Sequence, residues 1–191
     1  MPERNDSDIK IYGKTGDDNC STDLLEAAEY LNRQRRFGNI TKAKTLGEAL
    51  AALDPEKGKG FKLSDLADRQ PELTPTVLHQ IRALIVFLAQ TALHQKFGAQ
   101  PLSSCAVNAM YDKLIEISPD FYDSICDGAA FTFYSLSLKE EDVCTDIGRH
   151  FAMLCGMEGN KEYIAFGCNI FKNAGQMIAD IIDAYKFEKI D

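Results

Sequence analysis

The chain has 191 residues, 45% of them hydrophobic, and a formal net charge of −8. That length suits one domain able to bury its own core, the hydrophobic share argues against wholesale disorder, and the acidic balance repels nucleic acid and anionic lipid. Charge is unevenly placed: residues 1–32 hold eight acids and three bases, residues 33–69 nine bases and five acids, and residues 70–191 sixteen acids and nine bases. Only the middle segment has the sign to attract a polyanion.

Residues 1–20 are polar, lack apolar periodicity and are expected to form a mobile tail, with 21–191 a single all-helical domain. Asp17-Asp18-Asn19 starts like a calcium loop, but the glycine and closing glutamate of such a loop are missing. A first helix is expected from about Thr22 to Phe37, with Leu24, Leu25, Ala28 and Leu31 on one face and Arg33, Arg35 and Arg36 in its last turn, where the helix dipole favours cations. Gly38 is its stop. Thr45-Leu46-Gly47-Glu48 reads as a capping box opening a short helix that buries Leu46, Ala49, Leu50 and Leu53. Asp54-Pro55 ends that helix. Residues 56–60, Glu-Lys-Gly-Lys-Gly, lack the spacing of a phosphate loop and read as a flexible turn, so that 39–74 is expected to form a more open, basic lobe.

Leu63 to Ile81 follows the order L-x-x-L-A, turn, T-P-T-V-L-x-x-I, and resembles a helix-turn-helix. The resemblance spans about twenty residues and implies DNA contacts from Arg69, His79, Gln80 and Arg82, with Lys57, Lys59 and Lys62 near the phosphates. It departs from the pattern at Gln70 and Glu72, which stand where apolar packing residues belong, and at Pro71, which replaces the turn glycine.

Pro75–Phe97 is the organising element. Thr74 is a good N-cap, Pro75 suits the first helical position, and Gly98 is the stop. Ala83 to Ala89 carry no polar residue on any face, which only a helix wrapped by other protein tolerates. Arg82 and Gln90 bracket an apolar run shorter than the ~20 residues a bilayer needs, so a membrane crossing is not expected. His79 and His94 stand about 22 Å apart along the helix and share no ligand.

Four further helices are expected. The first runs from Ser103 to Ile117, with Ala106, Met110, Leu114 and Ile117 inward. Ser118-Pro119 starts one that continues to Leu136 through Tyr122, Ile125, Ala129 and Phe133. A capping box at Ser137–Glu140 opens a third, through Val143, Ile147, Phe151 and Leu154, closed by Gly156 and Gly159. Asn160 caps the last, whose stripe is Ile164, Gly167, Phe171, Ala174, Ile178, Ile181 and Tyr185. Gly128, Gly148 and Gly167 fall inside these helices, where glycine costs about 1 kcal/mol against alanine, so close helix crossings are expected to compensate. With no strand pattern anywhere, the expected fold is all-α: a single compact bundle of about seven or eight helices round 75–97.

Chemistry is thinly signalled. The six cysteines include no CxxC pair, all but Cys20 lie in apolar helical surroundings as small hydrophobes, and the polar start lacks a secretory apolar core. A reduced, cytoplasmic protein is expected. Cys144, His150 and Cys155 share no helical level, and Asp146 with His150 reads as a simple contact. Acid faces at Asp120, Asp123 and Asp127, at Asp142 and Asp146, and at Asp180 and Asp183 offer hard oxygen ligands of the kind magnesium-dependent hydrolases use. They lie on separate helices, so no residue is assigned to catalysis, a cofactor or a metal. The reading is a non-enzymatic interaction or regulatory module with protein partners, self-association included. DNA binding through 63–82 and metal-dependent hydrolysis are the alternatives.

Overall fold

The structure is a computed structural model that describes residues 17–189, apart from Glu56, Asp68 and Ala99. The expected tail therefore lies outside the described residues up to residue 16. Nine helices occur among the described residues: α1 (Asp17–Arg36), α2 (Asn39–Ala51), α3 (Leu63–Leu66), α4 (Pro75–Phe97), α5 (Pro101–Ile117), α6 (Pro119–Asp127), α7 (Ala130–Ser137), α8 (Val143–Leu154) and α9 (Lys161–Ala184). The protein is all-α, and residues from α2 through α9 join in one apolar core.

α4 is the axis of that core. The Thr74 hydroxyl accepts from the Val77 amide, Pro75 occupies the first turn, and Gly98 ends the helix at φ 63°. Every residue from Ala83 to Ala89 is buried, against α5, α7 and α9 with α2 alongside. Each leucine or isoleucine so placed contributes about 1.5–3 kcal/mol by leaving water. Among the described residues α4 alone also has the length and composition of a membrane crossing, but here its apolar surface faces other helices.

Several expected boundaries move, each for a tertiary or local reason. α1 already includes Asp17–Cys20, and of its expected inner face Leu25 and Ala28 are exposed while Leu31 is half-buried. α2 begins at Asn39, immediately after Gly38 turns the chain at φ 74°, so the apparent capping box at Thr45 lies mid-helix. Within 39–74, buried and exposed stretches alternate. Gly47 lets α2 approach α5 so closely that an added Cβ would overlap the Ala106 carbonyl oxygen, and Leu46, Leu50, Phe61, Leu66 and Ala67 are buried. The turn after α2 is closed rather than loose, with Asp54 and Lys59 exchanging both main-chain hydrogen bonds.

The expected helix from Ser118 to Leu136 is two helices. Gly128 lies at the break between α6 and α7, not inside a helix, and is not a crossing glycine. Ile125 is buried as expected, with Phe121 in place of Tyr122 on α6, and past the break the register restarts so that Ala130 and Tyr134 are buried in place of Ala129 and Phe133. Ile117 is exposed. Ser137 ends α7 instead of capping the next helix, and Asp142 caps α8 by accepting from the Thr145 amide.

The last two helices form an antiparallel pair. Gly156 and Gly159 at φ 73° and 75° make the turn, and the Met157 amide reaches back to the Ala152 carbonyl in a Schellman closure. The Asn160 side chain caps α9 at the Glu162 amide. A Cβ at Gly148 would overlap the Ile164 carbonyl oxygen, and one at Gly167 would lie 2.7 Å from the Phe151 Cβ. These two glycines are where α8 and α9 touch backbone to side. The buried stripe of α9 is Tyr163, Phe166, Gly167, Ile170, Ala174, Ile178 and Ile182: Gly167, Ala174 and Ile178 are as expected, while Tyr163, Ile170 and Ile182 are buried beside the expected Ile164, Phe171 and Ile181.

Cys144 on α8 and Cys168 on α9 are joined by a disulfide, with Cα atoms 5.0 Å apart. This corrects the expectation that all the cysteines are reduced small hydrophobes. Cys126 departs from it too, being free and exposed.

Candidate interaction site

The four residues that the helix-turn-helix resemblance singles out do not share a face. α3 is a single turn, Ala67 beyond it is extended, and eight residues including the buried Pro71 separate it from α4, so no tight inter-helix turn forms. The Arg82 guanidinium lies 4.1 Å over the Phe121 ring and donates to the Ser118 hydroxyl at 3.2 Å. His79 meets Phe121 edge-on, its Nε2 3.4 Å from the Ser124 hydroxyl. Burial and the nearby Arg82 charge both hold the His79 imidazole below its usual pKa, favouring the neutral ring. Gln80 has its carbonyl oxygen buried with no protein partner among the described residues. Arg69 is exposed and lies beside Lys161 and Glu162 at the start of α9. Two of the four are thus occupied by α6.

The acidic faces do not converge. Asp120, Asp123 and Asp127 are exposed along α6, whereas Asp142 caps α8 and Asp146 lies 3.6 Å from both Arg149 and His150. Among the described residues no three His, Cys, Asp or Glu side chains come together as a metal site would require.

A serine–histidine–aspartate grouping does form, around His150. Its Nδ1 is 2.7 Å from the buried Ser137 hydroxyl and 3.6 Å from Asp146, and its ring stacks on Phe133. A nucleophilic relay needs serine and aspartate on opposite ring nitrogens. Here both approach the same one, so the grouping ties α7 to α8. The free thiol of Cys155 is pushed up to about 12 by burial, which keeps it protonated and unreactive.

The arrangement with recognition chemistry lies at another corner, where α1, α2 and α4 meet the chain that follows α9. Beyond Ala184 the backbone leaves the helix with Tyr185 in an extended conformation, and Lys186, Phe187 and Glu188 follow outside any helix. Asn39, the first residue of α2, is buried and gives both ends of its amide to one residue of that strap. Its Nδ2 donates to the Glu188 carbonyl at 2.9 Å, and its Oδ1 accepts from the Glu188 amide at 3.0 Å. Buried Gln34 accepts a further hydrogen bond from Nδ2 at 2.7 Å, which fixes the orientation of the Asn39 amide. The Phe187 ring packs edge-on against Phe97, centroids 4.8 Å apart. Lys42 donates to the Lys186 carbonyl at 2.7 Å and lies 3.7 Å from the Glu188 carboxylate.

Sequence reading singled out none of these residues. Asn39 follows a glycine that looked like a plain helix stop, and its partner stands 149 positions away. No local period signals such a contact.

In comparisons with protein-family models, with curated proteins and with solved structures, the chain matches none of them.

Proposed function

We propose that this protein is a non-enzymatic interaction module that holds polypeptide in extended form at the corner built by Gln34, Asn39, Lys42 and Phe97. The observation that carries this reading is the two-way hydrogen bond between the Asn39 amide and the main chain of Glu188. One donor and one acceptor aimed at a single residue's backbone recognise an extended chain much as a neighbouring strand does. Burial of Asn39 supports the same reading, because a buried amide left unpaired costs about 1–3 kcal/mol. With the strap seated, the Asn39 amide is paired at both ends and none of its groups is buried unsatisfied.

The test uses the 191-residue chain carrying Phe187→Ala, which removes the aromatic anchor and loosens the resident strap. A dye-labelled peptide of residues 184–191 is titrated with this variant and followed by fluorescence anisotropy. Saturable binding in the micromolar range is expected. No binding up to millimolar variant overturns the reading. Glu188→Pro is the parallel variant, since proline has no amide hydrogen for Asn39 and touches no core residue.

A further inference from the structure

The resident strap is the mould of what this corner accepts. Its contacts divide into a part that ignores sequence and a part that reads it. Asn39, oriented by Gln34, engages only main chain of the strap, as does Lys42 at the Lys186 carbonyl. Two contacts depend on side chains: Phe97 takes an aromatic ring from residue 187, and the Lys42 ammonium faces a carboxylate from residue 188.

Resting on the interaction-module reading, we infer that the partner is an extended protein segment in which an aromatic residue is followed directly by an acidic one. The chain's own Phe187–Glu188 occupies the site as an intrinsic competitor. Three features make the resident strap exchangeable. It lies outside any helix, so no main-chain ladder holds it. It follows α9, the last helix among the described residues, so its departure leaves the packing of α2 through α9 in place. Its grip consists of one aromatic contact, hydrogen bonds from Asn39 and Lys42, and one ion pair. A partner segment can reproduce every one of these. Tethering still favours the resident: a short flexible link gives an effective concentration of the order of millimolar, which a free segment must exceed. The wild-type chain is accordingly expected to be mostly closed, and variants of the strap open.

The experiment measures the labelled 184–191 peptide, AYKFEKID, against the 191-residue wild type, Phe187→Ala and Glu188→Pro. Three altered peptides compete: one with its phenylalanine changed to alanine, one with the glutamate after that phenylalanine changed to lysine, and one of scrambled order. Both variants are expected to bind the parent peptide at least tenfold more tightly than wild type does. The alanine and scrambled peptides are expected to compete at least tenfold more weakly, and the lysine peptide about threefold more weakly, because the Lys42–Glu188 pair is partly solvated. Introducing Asn39→Ala into the Phe187→Ala chain is expected to abolish binding. Equal competition by all peptides overturns the aromatic–acidic specificity while leaving the interaction-module reading standing. Equal affinity of wild type and variants overturns the competitor role. Loss of binding by every peptide in both strap variants, with each variant still melting cooperatively, overturns the inference together with the reading beneath it.

Discussion

α9 is attached to the rest of the molecule at two places by opposite means. Along its first half it meets α8 with almost nothing between the backbones, because Gly148 and Gly167 remove the side chains at the crossing and Cys144–Cys168 adds a covalent link. Past its C-terminal end, the chain is held only by side chains reaching across to it from α2 and α4. The first attachment depends on shape complementarity that no other segment can supply. The second depends on main-chain groups together with one aromatic and one acidic side chain, which another segment can also carry. Cooperative structure forms around the former, whereas local opening is expected at the latter, where few buried apolar contacts must be given up.

The largest effect is expected from breaking the tight attachment. Gly148→Leu places a branched side chain where even a Cβ overlaps the Ile164 carbonyl, and α8 cannot yield without separating from α9. A loss of about 3 kcal/mol is expected in urea unfolding. Stability equal to the parent would show that the crossing is open.

Next comes the covalent link. Cys144 and Cys168 are 24 positions apart, and closing a loop of that size stabilises by roughly 3 kcal/mol through restriction of the unfolded chain. Combined Cys144→Ser and Cys168→Ser substitution, or reduction of the wild type, is expected to lower the thermal midpoint by several degrees. The same measurement bears on location, since stable disulfides belong to oxidising compartments and the sequence reading placed this protein in a reducing one. A melt unchanged by reductant would put the two thiols back in the core as hydrophobes.

The smallest effect belongs to the exchangeable attachment. Lys42→Met removes a partly solvated ion pair together with an exposed hydrogen bond to the Lys186 carbonyl, so a change of about 1 kcal/mol or less is expected, shrinking as salt is added. A loss comparable to that of the disulfide would mean that the strap is an integral part of the core.

Legibility in the sequence followed the range of the forces involved. α4 could be placed to the residue because Thr74, Pro75 and Gly98 act within one turn, and the unbroken apolar run from Ala83 to Ala89 leaves no other way to hide it. Asn160, Gly156 and Gly159 were readable for the same reason. Local patterns misled where two elements could claim them. Thr45–Glu48 and Ser137–Glu140 both have capping-box composition, but in one case the helix had already started and in the other it had just ended.

What the sequence by itself determined, then, is the helical class, the buried axis and the ends of the helices that carry their own caps, because hydrophobic period and capping act over three or four residues. Tertiary structure alone decided that the register restarts at Gly128, that Gly47 seats α2 on α5, that Cys144 finds Cys168, and that Asn39 grips Glu188. Each of those depends on where two separately formed helices come to lie. That placement follows from packing the whole core at once, and no stretch of one helix encodes it.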